Sequence, residues 1–164
     1  MTEQIFELTK IFFQRLTDTE EGKELLSNYD HAIGFEVVGK NQVMDITKRY
    51  YHPRYTGPYL IGEERFIVEV ISGKPAFRDG EDVPIPPSTS EEADRYTKIL
   101  AEKQTYLDIY SGKVAPVDAL IPEAVTPCKM NIIPFQSAPK YVIWINDIFR
   151  MIARSNRKIM NSLD

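Results

Sequence analysis

Residues 65–71 read RFIVEVI, and this stretch has the clearest strand pattern in the chain. Phe66, Val68 and Val70 occupy every second position, so in an extended backbone their side chains lie on one side. Charged and apolar residues alternate with them on the other side. The stretch therefore predicts a strand with one face turned to an apolar core.

A second stretch, residues 31–38 (HAIGFEVV), has the same alternation. Because a strand places alternate side chains on one face, the apolar residues of both strands are predicted to share the helix-covered face of one sheet. These residues are Ile33, Phe35, Val37, Phe66, Val68 and Val70. Shorter extended segments are predicted at residues 42–47, 75–77, 83–86 and 130–135.

Apolar residues at spacings of three and four predict helices elsewhere in the chain. The predicted helices cover residues 5–16, 20–26, a stretch up to Tyr110 that includes residues 96–110 with a break near 102–103, a short segment from Pro116, and residues 139–157. Strands and helices are segregated along the chain. This order indicates an α+β fold with a mostly antiparallel sheet and helices packed on one face.

Length and composition limit the possible classes of protein. A chain of 164 residues fits one domain, residues 1–164, in which residues 1–30 form an N-terminal helical segment. The net charge of −4 argues against nucleic acid as a partner. Cys128 is the only cysteine, and neither a leader-like segment nor a membrane-spanning stretch is evident, so we expect a cytoplasmic protein.

Residues with catalytic potential are few and have no activating sequence context. The two histidines are His31, at a strand start, and His52, beside a proline, while Cys128 lies between Pro127 and Lys129. No hydrolase, nucleotide-binding or zinc-binding motif is present. We therefore expect no catalytic residue, no metal and no cofactor, and we expect His31, His52 and Cys128 to be dispensable.

Two segments are unusually rich in aromatic or apolar residues. Residues 50–59 (YYHPRYTGPY) could stack on bases or rest at a lipid interface, but we favour packing of a long loop onto the sheet. The last helix carries an apolar stripe wider than the ~100° that a surface helix needs. Trp144 and Met151 lie at the edge of that stripe, where they either line an apolar cavity or fill a gap against the first helix.

Residues 104–120 (QTYLDIYSGKVAPVDAL) resemble the motif of the sterol carrier protein type 2 (SCP-2) family. In that motif a helix ends in Ser-Gly-Lys, and a proline shortly afterwards begins another helix. The order of strands and glycine turns upstream is also similar, so the resemblance covers about residues 31–152. Two departures are an apparent insertion at 41–62 and the segment 122–134, which lacks the glycine usual in the family.

The resemblance implies a five-stranded sheet whose covering helices enclose an apolar tunnel, partly closed by the last helix. It further implies non-catalytic binding or transfer of a fatty acid, an acyl chain or another lipid. The residues then expected to contact ligand are Phe35, Val37, Phe66, Val68, Tyr106, Tyr110, Trp144, Ile148, Met151 and Ile152.

Two other functions are compatible with the sequence. The tunnel could be filled by its own side chains, which would make the chain a protein-interaction or accessory module. A small enzyme with an acid–base residue inside the cavity is the least favoured interpretation. Transient contact with a membrane and assembly into a homo-oligomer both remain open.

Overall fold

The computed structural model describes residues 4–38, 64–81, 90–120, 130–133 and 139–163. Several sequence predictions fall outside these ranges. They are the strands at 42–47 and 83–86, the insertion at 41–62, the tyrosine-rich segment 50–59, His52 and Cys128.

Six helices and five strands lie within the described ranges. In chain order they are α1 (Ile5–Leu16), α2 (Glu20–Leu26), β1 (His31–Val38), β2 (Glu64–Ile71), β3 (Lys74–Asp79), α3 (Ser90–Arg95), β4 (Tyr96–Glu102), α4 (Lys103–Tyr110), α5 (Pro116–Leu120), β5 (Met130–Ile133) and α6 (Pro139–Leu163). The first two helices, the first three strands, β5 and the start of α6 agree with the sequence predictions. The fold is α+β, as predicted.

The five strands form one open sheet in the order β3-β2-β1-β4-β5. Neighbouring strands are antiparallel except for β1 and β4, which run parallel. The prediction of a mostly antiparallel sheet is therefore wrong, because the sheet is mixed. After the β2–β3 hairpin the chain crosses back and adds β4 to the free edge of β1, in the same direction as β1.

The strand β4 also corrects the sequence prediction for residues 96–102, which were assigned to a helix. Ile99 and Leu100 are adjacent and both fully buried, because β4 lies inside the sheet and is covered on both faces. A strand of this kind has no alternation of apolar and polar residues, and its spacing can imitate one turn of a helix. The break predicted near 102–103 is confirmed as the boundary between β4 and α4.

The register of β1 with β2 confirms that their alternating apolar residues share one face. Phe35 lies opposite Phe66 and Ile33 opposite Val68 in the antiparallel ladder. The rings of Phe35 and Phe66 are stacked with their centroids 4.9 Å apart. All six residues of the predicted set are buried in one hydrophobic core.

Three helices contribute aromatic side chains to this core. Phe13 of α1, Tyr106 of α4 and Phe149 of α6 each lie within 6.4 Å of Phe35, measured between ring centroids. The core therefore lies between the sheet and helices α1, α4 and α6.

Glu64, the first residue of β2, fixes the start of α1. Its two carboxylate oxygens accept hydrogen bonds from the backbone N–H groups of Ile5 (2.9 Å) and Phe6 (3.0 Å). The first N–H groups of a helix lack partners within the helix, and the helix dipole favours a negative charge at this end. A residue far away in sequence thus acts as the cap of α1.

The opposite face of the sheet carries a buried ion pair. Lys98 Nζ of β4 lies 3.1 Å from Glu36 Oε2 of β1, and both side chains are 1% exposed. Val38, Ile67 and Leu100 are buried on the same face but do not belong to the core described above.

Within the described part of the chain, no helix is both long enough and apolar enough to cross a bilayer.

Candidate functional site

The residues predicted to line a tunnel are brought together, but they fill the space between sheet and helices. Nine of the ten are at most 2% exposed and belong to one core, whereas Met151 is half-buried. Phe35 and Phe66 are in ring contact, and Phe149 packs edge-on against Phe35. In the described ranges these residues pack against one another as a core, and the predicted apolar tunnel is not shown there.

The hydroxyl groups of the two predicted tunnel tyrosines are used within the fold. Tyr106 donates to the carbonyl oxygens of Glu36 (3.0 Å) and Ile99 (3.3 Å). Tyr110 lies 2.7 Å from the hydroxyl of Thr9, which itself donates to the Ile5 carbonyl, so Tyr110 is the donor of the pair. Burial raises the pKa of both tyrosines. They are therefore neutral anchors for α4.

Trp144 is anchored in the same way and does not border either of the clefts described below. Its indole N–H donates to the carbonyl of Leu25 at 2.7 Å, and its ring meets the edge of Tyr29 at 5.5 Å. These contacts attach the first half of α6 to α2 and to the start of β1. Trp144 is a docking residue in this structure, and the gap it fills lies against α2 instead of α1.

His31 is the centre of a polar cluster that sequence reasoning did not predict. Its ring stacks on Tyr141 of α6 with 3.8 Å between centroids, and its Nε2 lies 2.6 Å from the hydroxyl of Thr97. Its Nδ1 lies 3.2 Å from the Asp94 carbonyl, which also accepts from the Tyr141 hydroxyl at 3.0 Å. A carbonyl only accepts, so Nδ1 carries the proton of the neutral ring and Nε2 accepts from Thr97.

The environment of His31 favours the neutral imidazole. Burial lowers its pKa from 6.5 to about 4, and the nearby Lys140 acts in the same direction. The Asp94 carbonyl and carboxylate oppose this shift but do not outweigh it. One sequence signal could have indicated this burial, because His31 is two residues before Ile33 and hence on the core face of β1.

A groove open to solvent lies between α1 and the second half of α6, with a volume of about 170 Å³. Its floor is apolar and consists of Phe12, Leu16, Met151 and Ile152. Met151 and Ile152 are the two predicted ligand residues that reach it. Phe12 and Leu16 lie in the helix predicted at residues 5–16, but nothing in the sequence brings them next to residues about 140 positions later.

The rim of this groove is polar and carries two arginines. The Arg15 guanidinium lies 5.6 Å from the ring centroid of Phe12 and donates to Asn156 Oδ1 at 3.2 Å. Arg154 pairs with Glu21 at 2.9 Å. An arginine forms several hydrogen bonds at once, so both cations can hold these partners and still meet an anion at the mouth of the groove.

Within the described ranges, no three His, Cys, Asp or Glu side chains are grouped closely enough to hold a metal ion. No protein-family model, curated protein or solved structure matches the chain. The resemblance to the SCP-2 family thus stays a prediction that rests on the residues quoted for it.

Proposed function

We propose that this chain binds an amphipathic ligand, with a short apolar tail and an acidic head group, in the groove between α1 and α6. The observation that carries the proposal is the combination of an apolar floor and a rim with two arginines. Binding here requires shape and charge, without a reacting side chain. The proposal retains the lipid-type ligand implied by the SCP-2 resemblance but places it between two helices.

The size of the groove limits the ligand. A volume of about 170 Å³ is similar to that of an apolar cavity that holds one benzene molecule in another protein. About six carbons therefore fit without rearrangement. Burying six methylene groups contributes roughly 5 kcal/mol before the cost of association, so a medium-chain fatty acid is expected to bind weakly.

A longer acyl chain would require α6 to move away from α1. Each additional buried methylene contributes about 0.8 kcal/mol, or roughly a fourfold gain in affinity. A rigid groove predicts that affinity stops rising beyond about seven carbons, with six in the groove and the carboxyl carbon at its mouth. A continued fourfold rise per methylene would indicate that α6 opens to admit the chain.

Calorimetric titration with fatty acids of 6 to 16 carbons tests the proposal. The Met151→Gln variant places a polar amide in the groove and is expected to weaken octanoate binding about tenfold. The matched control is Ile143→Gln, since Ile143 lies on the same helix but is 62% exposed to solvent. The proposal fails if the wild-type chain binds none of these acids or if both variants lose affinity equally.

A second candidate function is supported by the packed core. Because the predicted tunnel residues contact one another, the chain can serve as an interaction or accessory module with no internal ligand. Native mass spectrometry of freshly purified protein separates the two functions. Co-purified lipid supports ligand binding, whereas bare protein that associates with itself in sedimentation velocity supports the interaction module.

A further inference from the structure

A second cleft lies between α6 and the loop that joins α4 to α5, with a volume of about 430 Å³. This size falls within the range of small-molecule sites, roughly 300–1,000 Å³. Its charged residues all belong to α6. They are Asp147, Arg150, Arg154 and Arg157, and the opposite wall consists of Gly112 of the loop and Pro116 at the start of α5.

Three guanidinium groups thus share one cleft with a single carboxylate. The dipole of α6 does not account for them, because its effect is confined to the last helical turn. The helix continues to Leu163, so Arg150 lies more than three turns before its end and Arg157 more than one. A helix that ended at residue 157, as predicted, would place them near its C-terminal end, but the helix in the structure is longer.

Arg157 is held in place at one wall of the cleft. Its Nη2 donates to the Gly112 carbonyl at 2.7 Å, and a Cβ atom at position 112 would lie only 2.3 Å from Arg157 Nε. Gly112 has a φ of +80°, a backbone conformation that favours glycine. The neighbouring Asn156 donates to the Tyr110 carbonyl at 2.7 Å, so two side chains fix α6 against the end of α4.

Arg150 differs from its two neighbours because no described residue forms an ion pair or hydrogen bond with it. It is exposed at the cleft, whereas Arg154 pairs with Glu21 and Arg157 with Gly112. A planar guanidinium with five N–H donors matches phosphate oxygens in a bidentate arrangement. Within the described ranges, Arg150 is thus available to bind a ligand, next to two arginines that are already positioned.

We propose that this cleft binds the phosphate group of a small phosphate ester or diphosphate. Three arginines carry more positive charge than a carboxylate ligand with a single negative charge needs, and they suit a dianionic phosphate better. Asp147 can accept a hydrogen bond from a hydroxyl or amino group elsewhere on the ligand. The site goes beyond the groove proposed above. The two share Met151 and Arg154, but Arg150 lines only the cleft.

Calorimetric titration of the full chain with inorganic pyrophosphate tests this site. The Arg150→Gln variant is expected to weaken pyrophosphate binding about tenfold or more, as for the loss of a charge-assisted bidentate contact. The control is Arg95→Gln, which makes the same charge change away from the cleft. The neighbouring residue, Asp94, accepts a hydrogen bond from Tyr141 near the start of α6. Tyr141 and Arg150 are nine residues apart on α6, or about 14 Å along the helix.

A parallel titration with phosphatidylcholine vesicles, with and without phosphatidic acid, identifies the source of the phosphate. Saturable pyrophosphate binding that falls only in Arg150→Gln supports a soluble phosphate ligand. Binding only to phosphatidic acid vesicles, with the same dependence on Arg150, supports a lipid head group. The proposal is overturned if the wild-type chain binds neither probe, or if Arg95→Gln weakens binding as much as Arg150→Gln.

Discussion

Protonation of His31 is expected to destabilise the fold over a defined range of pH. The ring is buried and neutral, and burial lowers its pKa to about 4, against 6.5 for an unperturbed histidine. Between these values the unfolded chain binds a proton that the folded chain does not. The contribution of His31 to the free energy of unfolding is therefore fully present above about pH 6.5, falls as the pH drops, and is lost below about pH 4.

The size of the effect follows from the difference between the two pKa values. Each unit corresponds to about 1.4 kcal/mol, so the full loss is about 3 kcal/mol. Between pH 7.5 and pH 5 the loss is about 2 kcal/mol.

Urea unfolding at pH 7.5 and pH 5 measures this difference. The fluorescence of Trp144 is a suitable probe, since its ring lies edge-on to His31 with 6.1 Å between centroids. The variant His31→Gln keeps a donor and an acceptor but cannot titrate, so the loss on acidification should shrink by about 2 kcal/mol. His52→Gln controls for the other histidine. If wild type and His31→Gln lose the same stability between the two pH values, the reasoning about His31 is refuted.

Two further substitutions test how the first two helices are attached. Glu64→Gln replaces the carboxylate that caps the first two N–H groups of α1 with an amide. We expect the free energy of unfolding, measured with urea, to fall by about 1–2 kcal/mol. The control Glu7→Gln changes an exposed residue of the same helix and should have almost no effect. Gly22→Ala would place a Cβ 1.9 Å from the backbone oxygen of Leu16. We therefore expect the free energy of unfolding to fall by about 3 kcal/mol, although alanine favours helices. The control Gly80→Ala has a φ of +72° and open space around the new Cβ, so it should cost only about 1–2 kcal/mol. Equal melting temperatures for the two glycine variants would contradict the close approach of α2 to α1.

The sequence was informative where one face of an element is apolar and the other polar. Strand β2 and helix α1 have this contrast, and their predicted positions agree with the structure to within about one residue. Strand β4 lacks it, because Leu100 and Lys98 are buried on one face while Thr97 and Ile99 are buried on the other. Periodicity cannot identify such a strand, and without β4 the parallel pairing in the sheet could not be foreseen.

The candidate site was harder to predict because its residues come from distant parts of the chain. The excess apolar width of α6 was recognised correctly, yet it has two separate causes. Trp144 docks against α2, whereas Met151 forms part of the groove with Phe12. No local pattern reports that α1 and α6 approach each other, and the hydrogen-bond partners of His31 are likewise more than 60 residues away.

The position of β1 at the centre of the sheet has a consequence for synthesis of the chain. One partner of β1, strand β2, follows within the first half of the sequence. The other partner, β4, begins only at Tyr96. A ribosome adds about 5–20 residues per second. One edge of β1 therefore has no partner strand for several seconds after β1 itself has been made. During that interval a row of unpaired N–H and C=O groups is flanked by the apolar side chains of Ile33, Phe35 and Val37. Such an edge is a template for pairing with another nascent chain, so translation speed between β1 and β4 should influence how much protein reaches the native state.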